Sequence, residues 1–116
     1  MNNYKPDSYK LDSAIMRTAD RKVLHYIASA AYHLRQAEEY LADYKELENV
    51  SYYKGLREEW PAMAKLNRQL CQADLAAARE FICDLEDVGL ISLDDWMTIN
   101  KALVWFGVRA EDRYDD

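Results

Sequence analysis

The stretch PAMAKLNRQLCQADLAAAREFICDLEDVG, residues 61–89, decides the fold because it reads as one long helix with both ends marked. Pro61 suits the first turn of a helix and disfavours helical geometry at the residue before it. Gly89 favours the left-handed conformation in which helices commonly end. The apolar residues recur at helical spacing and form one broad arc: Met63, Leu66, Leu70, Cys71, Ala73, Leu75, Ala77, Ala78, Phe81, Ile82 and Leu85. The stretch therefore predicts a helix from about 61 to 88.

Two polar residues, Asn67 and Asp74, fall near the middle of that apolar arc. A buried carboxylate is costly unless it is paired and hydrogen-bonded. In one interpretation, tyrosine hydroxyls or an arginine satisfy both side chains, which then fix how the helices align. In the other, the arc is divided between two surfaces and the polar seam lies at an interface. The second interpretation makes Asn67 and Asp74 candidates for partner binding.

A second helical pattern covers residues 13–48. Its apolar positions share one side of the helix: Ile15, Met16, Ala19, Val23, Ile27, Ala30, Leu34, Ala37, Leu41 and Tyr44. The opposite side is mostly polar, as a solvated face should be. The pattern favours one long helix, with a break near residues 18–20 as the alternative. Residues 1–12 are predicted to be a polar lead-in because Pro6 opposes an early helix.

A third helix is predicted toward the C-terminus. Ser92 is an N-cap residue by type, and Asp94 and Asp95 suit the positive end of a helix dipole. Gly107 is expected to close the helix. Trp105 falls opposite the apolar side of this helix, so it is expected to be an exposed tryptophan and an anchor for a partner, or to lie under the C-terminal tail.

Together these patterns predict an all-α fold: a small bundle of three main helices, in which a long helical hairpin packs against a C-terminal helix. A short extra helix around 52–60, weakened by Gly55, is the optional fourth. Three glycines and two prolines in 116 residues are too few for a turn-rich β fold. We expect a single helical domain over residues 13–108, followed by an acidic tail at 109–116.

The chain shows no sequence signal for membrane insertion or export. No run approaches the roughly 20 apolar residues that a membrane span needs, and the N-terminus lacks the apolar segment of a signal peptide. We therefore expect a cytoplasmic protein, in the host cell if a phage encodes it. Cys71 and Cys83 fit a reducing compartment. Their spacing along one helix is about 18 Å, too far for a disulfide, which needs α-carbons within about 7 Å.

The net charge of −6 belongs to the second half of the chain. Residues 1–58 carry nine basic and nine acidic side chains, whereas residues 59–116 carry six basic and twelve acidic ones. The densest stretch supplies six candidates for an acidic surface: Glu80, Asp84, Glu86, Asp87, Asp94 and Asp95. Because phosphate binding depends on lysine and arginine, we expect no direct binding to nucleic acid.

Motifs for catalysis and metal binding are missing from the sequence. No glutamate stands three residues before His25 or His33, as di-iron helical bundles require, and the two cysteines and two histidines lack the close pairing of a zinc site. There is also no nucleophile elbow and no glycine-rich phosphate loop. We therefore expect no catalytic residue, no cofactor and no metal, and no enzyme activity.

Aromatic residues mark a further set of candidates, since nine tyrosines and three tryptophans accompany only two phenylalanines. Tyrosine offers an apolar ring with a polar tip and is enriched at protein interfaces. Tyr26, His33, Tyr40 and Tyr44 lie along one narrow stripe of the pattern at 13–48, and the alternative to an interface is that this stripe is the edge of the core, with its hydroxyls in water. The aromatic and neighbouring candidates for partner binding are Tyr26, His33, Tyr40, Tyr44, Tyr52, Tyr53, Trp60 and Trp105.

These features favour a non-enzymatic protein–protein interaction module that also pairs with itself as a homodimer. The chain resembles in type many small phage and mobile-element proteins, which are short, acidic, helical and rich in tyrosine, so an inhibitor or adaptor that binds a host protein is the concrete expectation. The alternative is an acidic mimic of nucleic acid that blocks a restriction or CRISPR enzyme. A small helical enzyme or metal protein is the least favoured class.

Overall fold

The computed structural model describes residues 7–17, 21–47, 55 and 58–111, and these contain four α-helices. In chain order the helices are α1 (Ser8–Arg17), α2 (Arg21–Glu46), α3 (Trp60–Asp87) and α4 (Leu93–Arg109). No strand occurs within those ranges, so the predicted all-α class is confirmed. Most of the predicted extra helix at 52–60 lies outside the described residues, and residue 60 belongs to α3.

The first helix begins at Ser8, earlier than the predicted start at residue 13. Asp7 explains this, because its carboxylate accepts hydrogen bonds from the backbone N–H groups of Tyr9 and Lys10 at 3.0 and 3.2 Å. Leu11 is buried in the core. The predicted lead-in is therefore wrong for residues 8–12, which form the first part of a packed helix.

The single helix predicted over residues 13–48 is two helices in the structure. The first ends at Arg17 and the second begins at Arg21. The alternative break near 18–20 falls outside the described residues. The two helices also have different neighbours, since α1 packs mainly against α4 whereas α2 packs mainly against α3.

Helices α2 and α3 form the predicted antiparallel hairpin, which is the longest part of the molecule. Lys22, near the start of α2, lies 5.6 Å from the ring centre of Phe81, near the end of α3. Further along α2, His33 contacts Asn67 in the first half of α3. Later residues of α2 therefore contact earlier residues of α3, so the two helices are antiparallel.

Local sequence sets the turn between α3 and α4. Gly89 has a φ of +73°, the left-handed conformation expected after a helix. The N–H of Leu90 donates to the carbonyl oxygen of Leu85 at 2.8 Å, and that of Gly89 donates to Glu86 at 3.0 Å. Ser92 then caps α4 by accepting a hydrogen bond from the backbone N–H of Asp95 at 3.1 Å. Both predicted helix boundaries are confirmed.

Helix α4 runs along the hairpin, antiparallel to α3. Its start lies beside the end of α1, and at its other end Gln72 donates to the carbonyl oxygen of Gly107 at 3.3 Å. Gly107 was predicted to close the helix, but α4 continues to Arg109. The side chain of Arg109 pairs with Glu38 of α2.

The buried core joins all four helices. Its members are Leu11, Ala14, Ile15, Val23, Ile27, Ala30, Leu34, Cys71, Leu75, Ala78, Ile82, Ile91, Ile99, Ala102, Leu103 and Ala110. The molecule is elongated, with extents of 56 × 23 × 22 Å. Within the described ranges, none of the helices has the length and apolar character needed to cross a bilayer.

Candidate interaction surface

The apolar arc of α3 is divided between two surfaces. Its inner part, Cys71, Leu75, Ala78 and Ile82, is buried against α2 and α4 together with the neighbouring Ala64. Its outer part stays in water, with Met63, Leu66 and Leu70 exposed to 36, 45 and 40 % and Ala73 also exposed. We call Met63, Leu66, Leu70 and Ala73 the outer stripe. The second interpretation of Asn67 and Asp74 included such a division of the arc, and its further statement that the seam lies at an interface stays a prediction.

The outer stripe has the spacing of a helix-packing surface. Its members lie three, four and three residues apart, which is the a/d pattern by which two helices interlock side chains. Single exposed leucines are ordinary in soluble proteins. Here the exposed aliphatic side chains follow one another along one line of a helix.

Helix α4 leaves this stripe open because it packs on a different side of α3. The α3 residues that border the groove shared with α4 are Gln72, Leu75, Ala76, Arg79 and Glu80. On the helical wheel Gln72, Leu75 and Arg79 lie well away from Leu66 and Leu70, and Glu80 lies at the edge between the two sides. Of the chain that the structure describes, no helix lies over the outer stripe. We call this side of the hairpin the open side.

A polar seam separates the outer stripe from the core, and we define it as His33, Asn67 and Asp74. The Asn67 amide nitrogen donates to the carbonyl oxygen of Met63 at 2.9 Å, which orients the amide oxygen toward His33. That oxygen accepts from Nδ1–H of His33 at 3.1 Å. The structure thus gives Asn67 a histidine partner and a backbone partner, in place of the tyrosine or arginine that was predicted.

Asp74 is the weakly satisfied member of the seam. Its Oδ2 atom is buried, makes no hydrogen bond and lies 4.0 Å from Nε2 of His33. With the ring proton on Nδ1, the neutral histidine presents a lone pair from Nε2, so only a second ring proton would give Asp74 a charged partner. The seam therefore fixes Asn67 firmly and leaves one carboxylate oxygen without a donor.

Part of the predicted aromatic stripe borders the seam. Tyr40 and Tyr44 are half-buried on α2, and Tyr26 is half-buried against the core. The antiparallel alignment of the hairpin puts Tyr40 near the level of Met63. Trp60 is half-buried at the start of α3, and the candidates Tyr52 and Tyr53 lie outside the described residues.

Trp105 is not fully exposed, as the first of its two predicted placements required, and most of the C-terminal tail invoked by the second lies outside the described residues. Its indole is half-buried, packs edge-to-face on Phe106 at 5.1 Å between ring centres, and lies 4.8 Å from the guanidinium of Arg109. Glu38 pairs with that guanidinium, and this pairing holds the Arg109 side chain over the ring. Helical-wheel reasoning missed this because an arginine one turn away can fold back over an aromatic face.

Five of the six acidic candidates are exposed, whereas Asp95 is not. Its carboxylate accepts from Nε of Arg17 at 3.1 and 3.0 Å and from Nη2 at 2.7 Å. These bonds from Arg17 lower the pKa of Asp95, and Ser92 adds to the effect, while burial opposes it. Asp95 is thus a link between α4 and α1 and does not contribute to an acidic surface.

The buried thiol of Cys71 is not activated as a nucleophile. Cys71 is buried, and burial together with the nearby Asp74 raises the pKa of its thiol to about 12. Cys83 is half-buried, and both thiols are free. In the described ranges, no three histidine, cysteine or acidic side chains are grouped so as to hold a metal ion. No serine, threonine, cysteine or histidine lines the shallow groove between α3 and α4.

No protein-family model, no curated protein and no solved structure matches the chain. Sequence reasoning did not single out Met63, Leu66 and Leu70 as a surface, although their spacing was a usable signal. It counted them in the core arc because periodicity alone does not show which part of a wide arc a neighbour covers.

Proposed function

We propose that the protein is a non-enzymatic protein-binding module, which acts as an adaptor or inhibitor through the open side of its α2–α3 hairpin. The observation that carries the proposal is the outer stripe, where Met63, Leu66 and Leu70 keep 36–45 % of their surface in water. Burial of such side chains is the main favourable term in protein association, so their exposure along one line supports a docking role.

The seam and the neighbouring tyrosines support the same surface. Asp74 has a carboxylate oxygen without a hydrogen-bond donor, and Tyr40 and Tyr44 lie half-buried on α2. Aromatic rings beside aliphatic side chains are typical of interface centres. An inhibitor or adaptor encoded by a phage or mobile element is the kind of protein that the composition favours, and self-association remains a prediction.

A site-specific photo-cross-linker tests the proposal with a control that the chain itself offers. Leu66 on the outer stripe and Leu24 on α2 are both 45 % exposed. A benzophenone side chain placed at residue 66 should capture a defined protein from a lysate of the source cell, whereas the same group at residue 24 should not. Excess unlabelled wild type should abolish the capture, and excess Leu66→Gln protein should not. Equal capture from both positions, or none at residue 66, would refute the proposal.

The acidic mimic of nucleic acid is the second candidate, and its support is the exposed group Glu80, Asp84, Glu86, Asp87 and Asp94. The loss of Asp95 to an internal ion pair weakens the dense run of acids on which the idea was based. A mimic should compete with DNA or RNA for the captured enzyme and lose affinity steeply as salt rises. A partner held by the outer stripe should tolerate salt better.

A further inference from the structure

We propose that the occupant of the outer stripe is a basic amphipathic helix of a partner protein, and not a second copy of this chain. The inference rests on the proposed function and specifies the chemistry of the partner. Its support comes from the spacing of the stripe and from the charges at its two ends.

The stripe has the size and pattern of a seat for a helix. From Met63 to Ala73 it spans ten residues of α3, about 15 Å at 1.5 Å per residue. Alternating steps of three and four residues suit a partner helix whose own apolar residues recur at i, i+3, i+4 and i+7. The half-buried ring of Phe81 continues the same side of α3 toward its C-terminus.

Acidic side chains stand at both ends of the stripe. Glu59 lies one turn before Met63, since the N–H of Met63 donates to its carbonyl oxygen at 3.0 Å. Past the other end, the helical period places Asp84 on the same side of α3 and Glu80 at the edge of that side, where Glu80 also lines the groove with α4. All three are exposed.

The basic residues of α3 lie elsewhere. Arg68 is buried, with 3 % exposure, and Lys65 and Arg79 border the grooves beside Ala110 and α4. On α2, Lys22 stands over the Phe81 ring, beyond the C-terminal end of the stripe. A helix with lysine or arginine at both ends of its apolar line therefore complements this surface.

The same charges oppose a second copy in either orientation. In a parallel pairing of two stripes, each acid meets its own counterpart. In an antiparallel pairing, Glu59 of one chain approaches Glu80 and Asp84 of the other. Each chain also carries a net charge of −6, so both arrangements place like charges together.

Fluorescence anisotropy with designed peptides tests the inference. The probe is a fluorescein-labelled helical peptide of leucine and lysine, with the leucines at i, i+3, i+4 and i+7. One control peptide has the same composition in scrambled order, and another replaces every lysine with glutamate. Wild-type protein should bind the probe at least about tenfold more tightly than either control, because only the probe matches both the stripe and its charges.

Matched variants locate the binding. Leu66→Gln should weaken probe binding about tenfold, whereas Leu24→Gln, at the same exposure, should leave it unchanged. Glu80→Gln should weaken it more than Glu86→Gln, because Glu86 is exposed on another side of α3. Circular dichroism should give the same helicity for all four variants, since each substitution is on the surface.

Three results would overturn the inference. They are equal binding of the patterned and scrambled peptides, equal losses from Leu66→Gln and Leu24→Gln, and a dimer mass in sedimentation that Leu66→Gln removes. The last result would identify a second copy as the occupant. If residue 66 captures a partner by photo-cross-linking while the lysine peptide fails to bind, the proposed function stands and only the partner chemistry is wrong.

Discussion

The inner and outer sides of α3 are both apolar, but they are built from different residues. The inner side combines small side chains, of which Ala64, Cys71 and Ala78 have no exposed surface, with the buried Leu75 and Ile82. The outer side carries Met63, Leu66 and Leu70, which remain 36–45 % exposed. Small residues let helices come close and pack fully, whereas exposed aliphatic side chains contribute little to folding. The bundle therefore completes its core without the outer stripe.

The largest effect should appear when one residue on each side of α3 is replaced by alanine and the stability of the two variants is compared. Ile82→Ala removes a side chain with no exposed surface and should lower the free energy of unfolding by about 3 kcal/mol. Leu66→Ala removes a 45 % exposed side chain and should change it by less than about 0.5 kcal/mol. Urea denaturation of the two variants measures both values. Similar losses from both would show that a part of the protein covers the outer stripe.

Most of the fold followed from local sequence signals. Gly89 and Ser92 act on their own neighbours, so residue type was enough to predict the turn between α3 and α4. The start of α1 was not predicted because Pro6 was expected to oppose an early helix, whereas the carboxylate of Asp7 caps one. The length of α4 was underestimated because an internal glycine such as Gly107 weakens a helix without necessarily ending it.

The candidate surface was less predictable, because it depends on which side of α3 another helix covers. Asn67 and Asp74 were singled out by their position in the apolar arc, but their partner His33 lies on another helix. The Arg17–Asp95 contact joins residues 78 positions apart, so no local spacing indicates it. Asp95 consequently looked like surface charge when it is an internal link.

The next effect concerns the contact between α4 and α1, and it should depend on pH. Asp95→Asn removes the carboxylate that Arg17 holds. The pKa of Asp95 is lowered in the folded state, so its contribution is fully present above the unfolded value near 3.8 and disappears as the pH falls through the folded value. The stability advantage of wild type over Asp95→Asn should therefore be constant from neutral pH down to about 5 and shrink below about 4.

Asp94→Asn is the matched control, because Asp94 is an exposed acid in the same first turn of α4. Both substitutions remove a charge that favours the helix dipole. Only Asp95 also binds Arg17, so thermal unfolding across this pH range should separate the two. Equal losses for both variants would mean that the Arg17 contact contributes nothing in solution.

A smaller effect is expected at the seam, where the two sides meet. Asp74→Leu removes a carboxylate whose Oδ2 is buried without a hydrogen bond, so the free energy of unfolding should stay constant or rise by up to about 1 kcal/mol. Asn67→Leu should instead cost about 1–2 kcal/mol, because it leaves the Nδ1–H of His33 without its acceptor. Urea denaturation compares them.

The same Asp74→Leu variant tests whether the seam belongs to an interface. Replacement of the carboxylate joins the outer stripe to the core arc, so partner capture at residue 66 or the mass in solution should change while the fold is retained. Wild-type mass together with unchanged capture would leave the seam with a purely internal role.

The smallest effects are expected at two glycines, Gly89 in the turn before α4 and Gly107 near the end of α4. A methyl group at Gly107 would lie 3.9 Å from Cδ1 of Leu75, an ordinary contact, and α4 is helical there. Gly107→Ala should therefore stabilise the protein by about 0.5–1 kcal/mol, since alanine loses less conformational freedom in a helix. Gly89→Ala should destabilise it by about 1 kcal/mol, because a φ of +73° strains any side chain. Opposite signs in urea denaturation would show that the inner side accepts one more methyl group, and a loss from Gly107→Ala would mean that α3 and α4 pack more tightly than their 3.9 Å separation indicates.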